Sequence, residues 1–124
     1  MAELIYKEEF YKIIGIAMEV HRNLGRGFLE IVYKDALEFE FRQQNIPYER
    51  EKEFDIEYKT IILPHKYYAD FVVYDKIILE VKAASGIIDE FIKQTLNYIK
   101  AVKFKLGILI NFGEDSLKYK RLVF

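Results

Sequence analysis

Apolar residues recur at helical spacing in three segments of the chain. Residues 8–24 carry one such stripe, and Gly25 follows it, as glycine often does just past the end of a helix. A second stripe runs over residues 28–44 and stops before Pro47, and a third covers residues 88–102. The pattern therefore predicts three helices with approximately these bounds.

Strand patterns fill the remaining segments. Residues 50–62 predict a first strand, in which apolar and charged side chains alternate. Residues 67–74 and 77–83 are rich in β-branched and aromatic side chains and are separated by two polar positions, so they predict a hairpin. Residues 105–112 are apolar without alternation, as in a buried strand, and residues 117–124 predict a last strand at a sheet edge.

The predicted order of elements is α-α-β-β-β-α-β-β, without repeats, low-complexity segments or linkers. The third helix is long enough to be a crossover connection, so the strands before and after it are predicted to be parallel. The fold class is therefore α/β, with a mixed β-sheet flanked by helices. A chain of 124 residues has the size of one domain, and we expect a single domain over residues 1–124.

Composition excludes several classes of protein. With 52% apolar and 16% aromatic residues, the chain is not a disordered segment. It has no cysteine and only two histidines, so a bound metal is expected to be a hard cation held by oxygen atoms. We find no signal-peptide pattern or membrane span in the sequence, and we therefore expect a cytoplasmic protein without a membrane partner. The net charge of −1 provides no global attraction for nucleic acid.

The most informative chemistry lies on the predicted hairpin. Asp70 sits within one apolar strand, and Glu80 and Lys82 lie two apart on the next, so the side chains of this second pair share a face. A carboxylate in a buried sheet is costly unless it is paired or coordinates a cation. The alternative is a solvent-facing pair, as expected for Glu57 and Lys59, which have the same spacing on an alternating strand. Apolar residues flank Glu80 and Lys82 on both sides, so their side chains need partners. A divalent cation that activates water against a phosphodiester would supply one, and at this point this interpretation and the solvent-facing pair both stay open.

The hairpin register decides whether the two carboxylates can meet. A two-residue turn would place Asp70 opposite Val81, with its side chain on the other face from Glu80. A shared site requires both side chains on the same face of the sheet, and we therefore predict that Asp70 lies opposite Glu80. A three-residue connection that pairs Val73 with Ile77 would achieve this, and so would a bulge that restores the parity.

Two of the predicted helices carry further candidates. Glu30 shares a helical face with Tyr33 and Lys34 along a mostly apolar stripe, so we expect it to be partly buried or at the margin of the core. It is either a third metal ligand or a carboxylate that complements the helix dipole in the first turn, and both interpretations stay open. Gln94 and Tyr98, four apart, can point an amide and a hydroxyl toward one spot, and the alternative is two surface residues beside an apolar stripe.

A short motif at the start of the second helix adds a family resemblance. Gly27-x-x-Glu30-x-x-Tyr33 resembles the signature of the GxxExxY proteins, a branch of the PD-(D/E)XK nuclease superfamily. The similarity extends over nearly the whole chain, from position 21 to position 113. It implies a restriction-endonuclease-like core of α-β-β-β-α-β order, with an extra N-terminal helix.

The resemblance also implies roles for individual residues. The defining motif maps onto Asp70 and Glu80-x-Lys82, with Ala69 where the motif has proline. It implies that the carboxylates and the Val81 carbonyl bind Mg²⁺ (or Mn²⁺), while Lys82 orients the attacking water and stabilises charge on the phosphate. The implied metal ligands are Asp70, Glu80, Val81 and Glu30. The implied catalytic residues are Asp70, Glu80, Lys82 and Glu30. Gln94 and Tyr98 resemble a motif of RecB-type nucleases and are the implied substrate-binding residues.

The leading hypothesis is a Mg²⁺-dependent nuclease that hydrolyses phosphodiester bonds in DNA or RNA, with DNA favoured as the partner. The alternatives are a non-catalytic nucleic-acid-binding module and a protein-interaction module or homodimer, the latter indicated by ten Tyr and ten Phe. Retention of Lys82 argues against the binding module, because metal ligation alone does not need it. Without metal, Asp70 and Glu80, together with Glu30 if it joins them, repel one another in a partly desolvated site, so at least one pKa is expected to be raised.

Overall fold

Three helices and seven short strands make up residues 4–124, the part of the chain that the computed structural model describes. The helices are α1 Lys7–Leu24, α2 Glu30–Gln43 and α3 Asp89–Ala101. The strands are β1 Tyr48–Phe54, β2 Glu57–Tyr58, β3 Ile61–Ile62, β4 Tyr67–Val73, β5 Ile77–Lys82, β6 Leu106–Asn111 and β7 Lys118–Val123. All three predicted helices are confirmed, with small shifts at their ends.

Five of the strands form one mixed sheet in the order β1-β4-β5-β6-β7. β5 and β6 run parallel and are joined through α3, and the other neighbouring pairs are antiparallel. The predicted parallel pair around the third helix is therefore confirmed, as is the mixed sheet. β7 lies at one edge of the sheet, as predicted, and β1 lies at the other.

Helices cover both faces of this sheet. Leu79 and Val81 of β5 join a core cluster with residues of α1 and α2, whereas Ile78 joins a second cluster with Ile99 of α3. Both faces of β5 are thus covered by apolar side chains, which is why this strand reads as a continuous apolar run. Within residues 4–124, no helix is both long enough and apolar enough to cross a membrane.

The prediction of one continuous strand over residues 50–62 is wrong. β1 ends at Phe54, and β2 and β3 form a separate two-stranded hairpin. The chain turns back at Lys59, which has a left-handed φ of 55°. The alternating pattern was misleading because the hairpin has no buried face, and Tyr58 is 55% exposed.

The hairpin formed by β4 and β5 has the register predicted from the sequence. Val73 pairs with Ile77 across a three-residue connection, in which Tyr74 takes a left-handed φ of 56°. Counting along the same ladder, Asp70 lies opposite Glu80. The parity that a shared carboxylate site requires is therefore present.

A tight corner after β6 holds the segment that follows β5. Asn111 is fully buried, and its side-chain amide donates to the Ala84 carbonyl and accepts from the Ala84 amide, each at 2.9 Å. Gly113 packs so closely on this segment that a Cβ would lie 2.1 Å from the Ala84 carbonyl oxygen. The corner therefore fixes the end of β5, from which Lys82 projects.

Gly113→Ala is expected to lower the free energy of unfolding by about 2 kcal/mol or more, because the added methyl group would press on backbone atoms of the corner. Gly15→Ala is the matched control. It lies inside α1, where a Cβ would meet nothing within 4 Å. Alanine is the better helix former there by up to about 1 kcal/mol. Urea denaturation measures both changes, and wild-type stability of Gly113→Ala would contradict the role of the corner.

Candidate active site

A cleft opens on the sheet where β4 and β5 part. Their ladder ends at Phe71 and Leu79, whereas β4 continues along β1 to Tyr67 and β5 continues along β6 to Lys82. The cleft has a volume of about 320 Å³. Every side chain predicted from the sequence to belong to the site lies on the cleft wall. The wall is formed by Glu30, Lys66, Tyr67, Tyr68, Asp70, Glu80, Lys82, Gln94, Thr95 and Tyr98.

Asp70 and Glu80 replace the missing ladder bonds with their own side chains. The Asp70 amide donates to Glu80 Oε2 at 3.1 Å, and the Val81 amide donates to Asp70 Oδ2 at 2.8 Å. Each carboxylate thus accepts a hydrogen bond from a backbone amide of the opposite strand. A buried amide without such a partner would cost free energy. Main-chain atoms on both sides of the opening therefore hold the two side chains in place.

Glu80 lies in surroundings that disfavour its charge. The Tyr67 hydroxyl donates to Glu80 Oε1 at 2.5 Å. Burial, and next the charge of Asp70, raise the pKa of Glu80 to about 8, against the opposing effect of the Tyr67 hydrogen bond. The expectation of at least one raised pKa in the pair is confirmed. Burial also raises the pKa of Tyr67, so its hydroxyl remains the donor in this bond.

A lysine to which the sequence interpretation assigned no role lies beside Asp70. Lys34 Nζ donates to Asp70 Oδ1 at 2.9 Å and also to Glu51. Burial lowers the pKa of Lys34, but the hydrogen bonds to Glu51 and Asp70 outweigh it and place the pKa above its ordinary value. The sequence signal was limited to the position of Lys34 one helical turn after Glu30, because the contact itself depends on how α2 packs on the sheet.

Lys82 offers its ammonium group to the cleft. The ion pairs found among residues 4–124 do not include it. Its Nζ lies 4.6 Å from the centroid of the Phe91 ring, which is a cation–π distance. Glu80 and Lys82 line the same cleft, as their spacing on one strand predicts. The ammonium group of Lys82 is therefore available to a ligand.

α3 contributes Gln94 and Tyr98 to the cleft wall. The Tyr98 ring stacks on Tyr67, with centroids 4.0 Å apart and an angle of 5° between the planes. Because Tyr67 in turn binds Glu80, α3 supports this carboxylate through two stacked rings. Gln94 lines the same cleft but is exposed to solvent. The two residues therefore face one space, as their helical spacing predicts.

Glu30 is exposed, so of the two positions expected for it, partly buried or at the margin of the core, the structure excludes the first. α2 begins at Glu30 itself rather than at position 28, so Glu30 is the first residue of the helix. Its side chain therefore lies in the first turn, before the buried part of the stripe begins at Tyr33. Glu30 still lines the cleft, and as the first residue of α2 it also complements the positive end of the helix dipole.

The loop before Glu30 is held by Tyr33. The Tyr33 hydroxyl donates to the Gly25 carbonyl at 2.6 Å. Its fully buried ring stacks on Phe112, with centroids 4.5 Å apart. Gly27 has a φ of 108°, a region that favours glycine. The glycine and the tyrosine of the Gly27-x-x-Glu30-x-x-Tyr33 motif therefore shape the loop that presents Glu30, a structural role that sequence reasoning missed.

Comparison with known proteins identifies the family. The family model of the PD-(D/E)XK nuclease superfamily matches residues 7–122. The chain belongs to this superfamily. The crystal structure of SSO0001 shares the fold, with a TM-score of 0.58 and 18% identity over 95% of this chain and 59% of that chain. This chain therefore spans about three fifths of the length of that protein. No curated protein matches the chain.

Nucleases of the PD-(D/E)XK superfamily generally use divalent metal ions, and Asp70 and Glu80 have suitable chemistry to hold one. Carboxylate oxygens are the ligands that hard cations prefer. The raised pKa of Glu80 reflects burial and repulsion from Asp70, both of which a bound cation would offset. Within residues 4–124, no group of three or more His, Asp or Glu is arranged to hold a metal ion. The fit thus rests on the paired carboxylates, with Glu30 outside any such group.

The stability of the metal-free protein is expected to fall by at least about 1 kcal/mol as the pH rises from about 5 to about 8. The pKa of Glu80 is about 8 in the folded state, against an ordinary value of 4.5. The folded state therefore keeps a proton that the unfolded state releases, and this stabilisation is lost as the pH rises through the folded-state pKa. Glu80→Gln stays neutral and should flatten the profile. Urea denaturation in EDTA measures both proteins, and equal slopes would contradict the titration of Glu80 in this range.

Proposed function

We propose that this protein is a Mg²⁺-dependent nuclease of the GxxExxY branch, which hydrolyses phosphodiester bonds in DNA or RNA, with DNA preferred and Mn²⁺ able to replace Mg²⁺. The main support is the placement of Asp70 opposite Glu80 in the opened hairpin, with Lys82 on the same cleft wall. Membership of the nuclease superfamily supplies a matching scaffold.

The acidic residues form the proposed metal site. Asp70, Glu80 and the Val81 carbonyl would hold the cation, and Glu30, which lines the cleft from α2 but is not grouped with them, would have to turn its exposed side chain toward the cation to add an oxygen atom. When bound, Mg²⁺ supplies a water molecule of lowered pKa and a positive charge beside the phosphate. The Tyr67 hydroxyl and the opposing backbone amides already hold the two carboxylates, so binding requires little reorganisation of their side chains.

Lys82 is the proposed residue that acts on the substrate directly. Its ammonium group would orient the attacking water and stabilise the negative charge that develops on the phosphate oxygens. Two observations support this role: Lys82 lines the cleft beside Glu80, and its ammonium group is not taken up in an ion pair of residues 4–124. Lys34 is less suitable because Asp70 and Glu51 already engage it.

The α3 side of the cleft is the proposed contact for the nucleic acid. Gln94 presents an exposed amide that can donate to a phosphate or to a base edge, and Tyr98 borders the same space. Because the net charge of the chain is −1, long-range attraction contributes little. Binding would therefore depend on short-range contacts made inside the cleft.

Asp70→Asn and Glu80→Gln are expected to abolish cleavage, because each replaces a carboxylate that would ligate the metal by an amide of nearly the same size. Lys82→Met should lower kcat by at least about a hundredfold, since it removes a positioned charge-stabilising group. The measurement is cleavage of end-labelled single- and double-stranded DNA and RNA by the purified protein with Mg²⁺ or Mn²⁺.

Glu57→Gln and Lys59→Met are the matched controls. These two residues have the same spacing as Glu80 and Lys82, but they are exposed on the small hairpin, away from the cleft wall. Both variants should cleave like wild type. Wild-type activity in all three cleft variants would exclude the proposed site. If the wild-type protein binds a nucleic acid without metal and cleaves none, the non-catalytic binding module is the better assignment.

A further inference from the structure

Lys34 is an enclosed cation that the proposed reaction leaves without a role. Its Nζ lies 2.9 Å from Asp70 Oδ1, it also binds Glu51, and its side chain is 12% exposed. Lysines in the surface ion pairs are more open: Lys76, which binds Glu9, is 39% exposed. A partly buried charge pair is screened less by solvent and salt. The charge of Lys34 therefore acts strongly on its neighbours.

Glu51 lies across from Asp70 in an uncommon backbone conformation. The β1–β4 ladder is interrupted between its pairs at Arg50 and Lys52, which leaves Glu51 opposite Asp70. Glu51 has a φ of 53°, a region that residues other than glycine adopt where the surrounding structure enforces it. Two carboxylates directly opposite on neighbouring strands repel each other. Lys34 binds both of them and so offsets this repulsion.

Asp70 therefore has a cationic partner before any metal binds. Its Oδ1 accepts from Lys34, and its Oδ2 accepts from the Val81 amide. A divalent cation bound to Asp70 would lie near the ammonium group, and two positive charges at such a separation repel each other in a partly buried site. Glu51 is the second partner toward which Lys34 can withdraw.

We propose that Lys34 is a resident counter-cation, which competes with the divalent cation for Asp70 and thereby sets the metal concentration at which the site fills. This role rests on the proposed function, because Asp70 must be a metal ligand. In the metal-free protein, Lys34 stabilises the carboxylates around it. When a metal binds, the contact of Lys34 with Asp70 weakens and its contact with Glu51 remains.

Isothermal titration of the metal-free full chain with Mn²⁺ or Mg²⁺ alone tests this competition. Lys34→Met keeps an unbranched apolar stem and removes the charge, so metal affinity is expected to rise by at least about tenfold. Lys34→Gln removes the charge with a different side chain and should act in the same direction. Lys34→Arg keeps the charge with a different shape, so its metal affinity should stay closer to that of wild type than the affinity of either uncharged variant.

Lys76→Met is the matched control for loss of one positive charge, because Lys76 pairs with Glu9 and does not line the cleft. Its metal affinity should equal that of wild type. Thermal melts give a second measurement that is independent of cleavage. Without metal, Lys34→Met should melt below wild type, because its carboxylates lose their counter-cation, and saturating Mn²⁺ should raise its melting temperature by more than that of wild type.

The outcomes separate this role from the nuclease assignment. Unchanged or weaker metal binding in both uncharged variants would overturn the competition, and the nuclease assignment would stand if the wild-type protein binds metal and cleaves. Metal binding by Lys34→Met where wild type shows none would support the competition in its strongest form. Absence of binding in every protein would overturn the competition and the metal site together.

Discussion

The candidate site depends on one exchange, in which carboxylates take the place of ladder bonds between β4 and β5. Where these strands part, the amides of Asp70 and Val81 would be left without partners inside the sheet. The side chains of Glu80 and Asp70 accept them instead. The same bonds that allow the sheet to open therefore hold two acidic groups at the base of the cleft. The opening in the sheet and the position of the two carboxylates therefore have the same structural cause.

This arrangement brings like charges together in a partly buried place, and groups from both helical layers offset the repulsion. From the side of α2, Lys34 binds Asp70. From the side of α3, Tyr98 stacks on Tyr67, whose hydroxyl binds Glu80. The raised pKa of Glu80 shows that the compensation is incomplete. A site that disfavours its own negative charge is well suited to a cation, which agrees with the use of divalent metals in this superfamily.

The Gly27-x-x-Glu30-x-x-Tyr33 motif combines two kinds of residue. Gly27 supplies a backbone conformation that favours glycine, and Tyr33 ties the loop to the Gly25 carbonyl while its ring packs against Phe112. Glu30 differs from both, since it is exposed and lines the cleft. The motif is therefore mainly a structural device that places one carboxylate at the start of α2.

The spacing of apolar residues and the alternating direction of side chains along a strand were enough to predict much of the fold and of the candidate site. Helical spacing predicted the three helices, and the need for a shared face predicted that Asp70 lies opposite Glu80, because side-chain direction in a strand follows from counting residues. Tertiary packing decided the rest. It exposed Glu30, it turned residues 57–62 into a separate hairpin, and it brought Lys34 to Asp70 from a distant helix. Depth of burial and long-range partners depend on how elements pack, and periodicity along one segment carries no information about that.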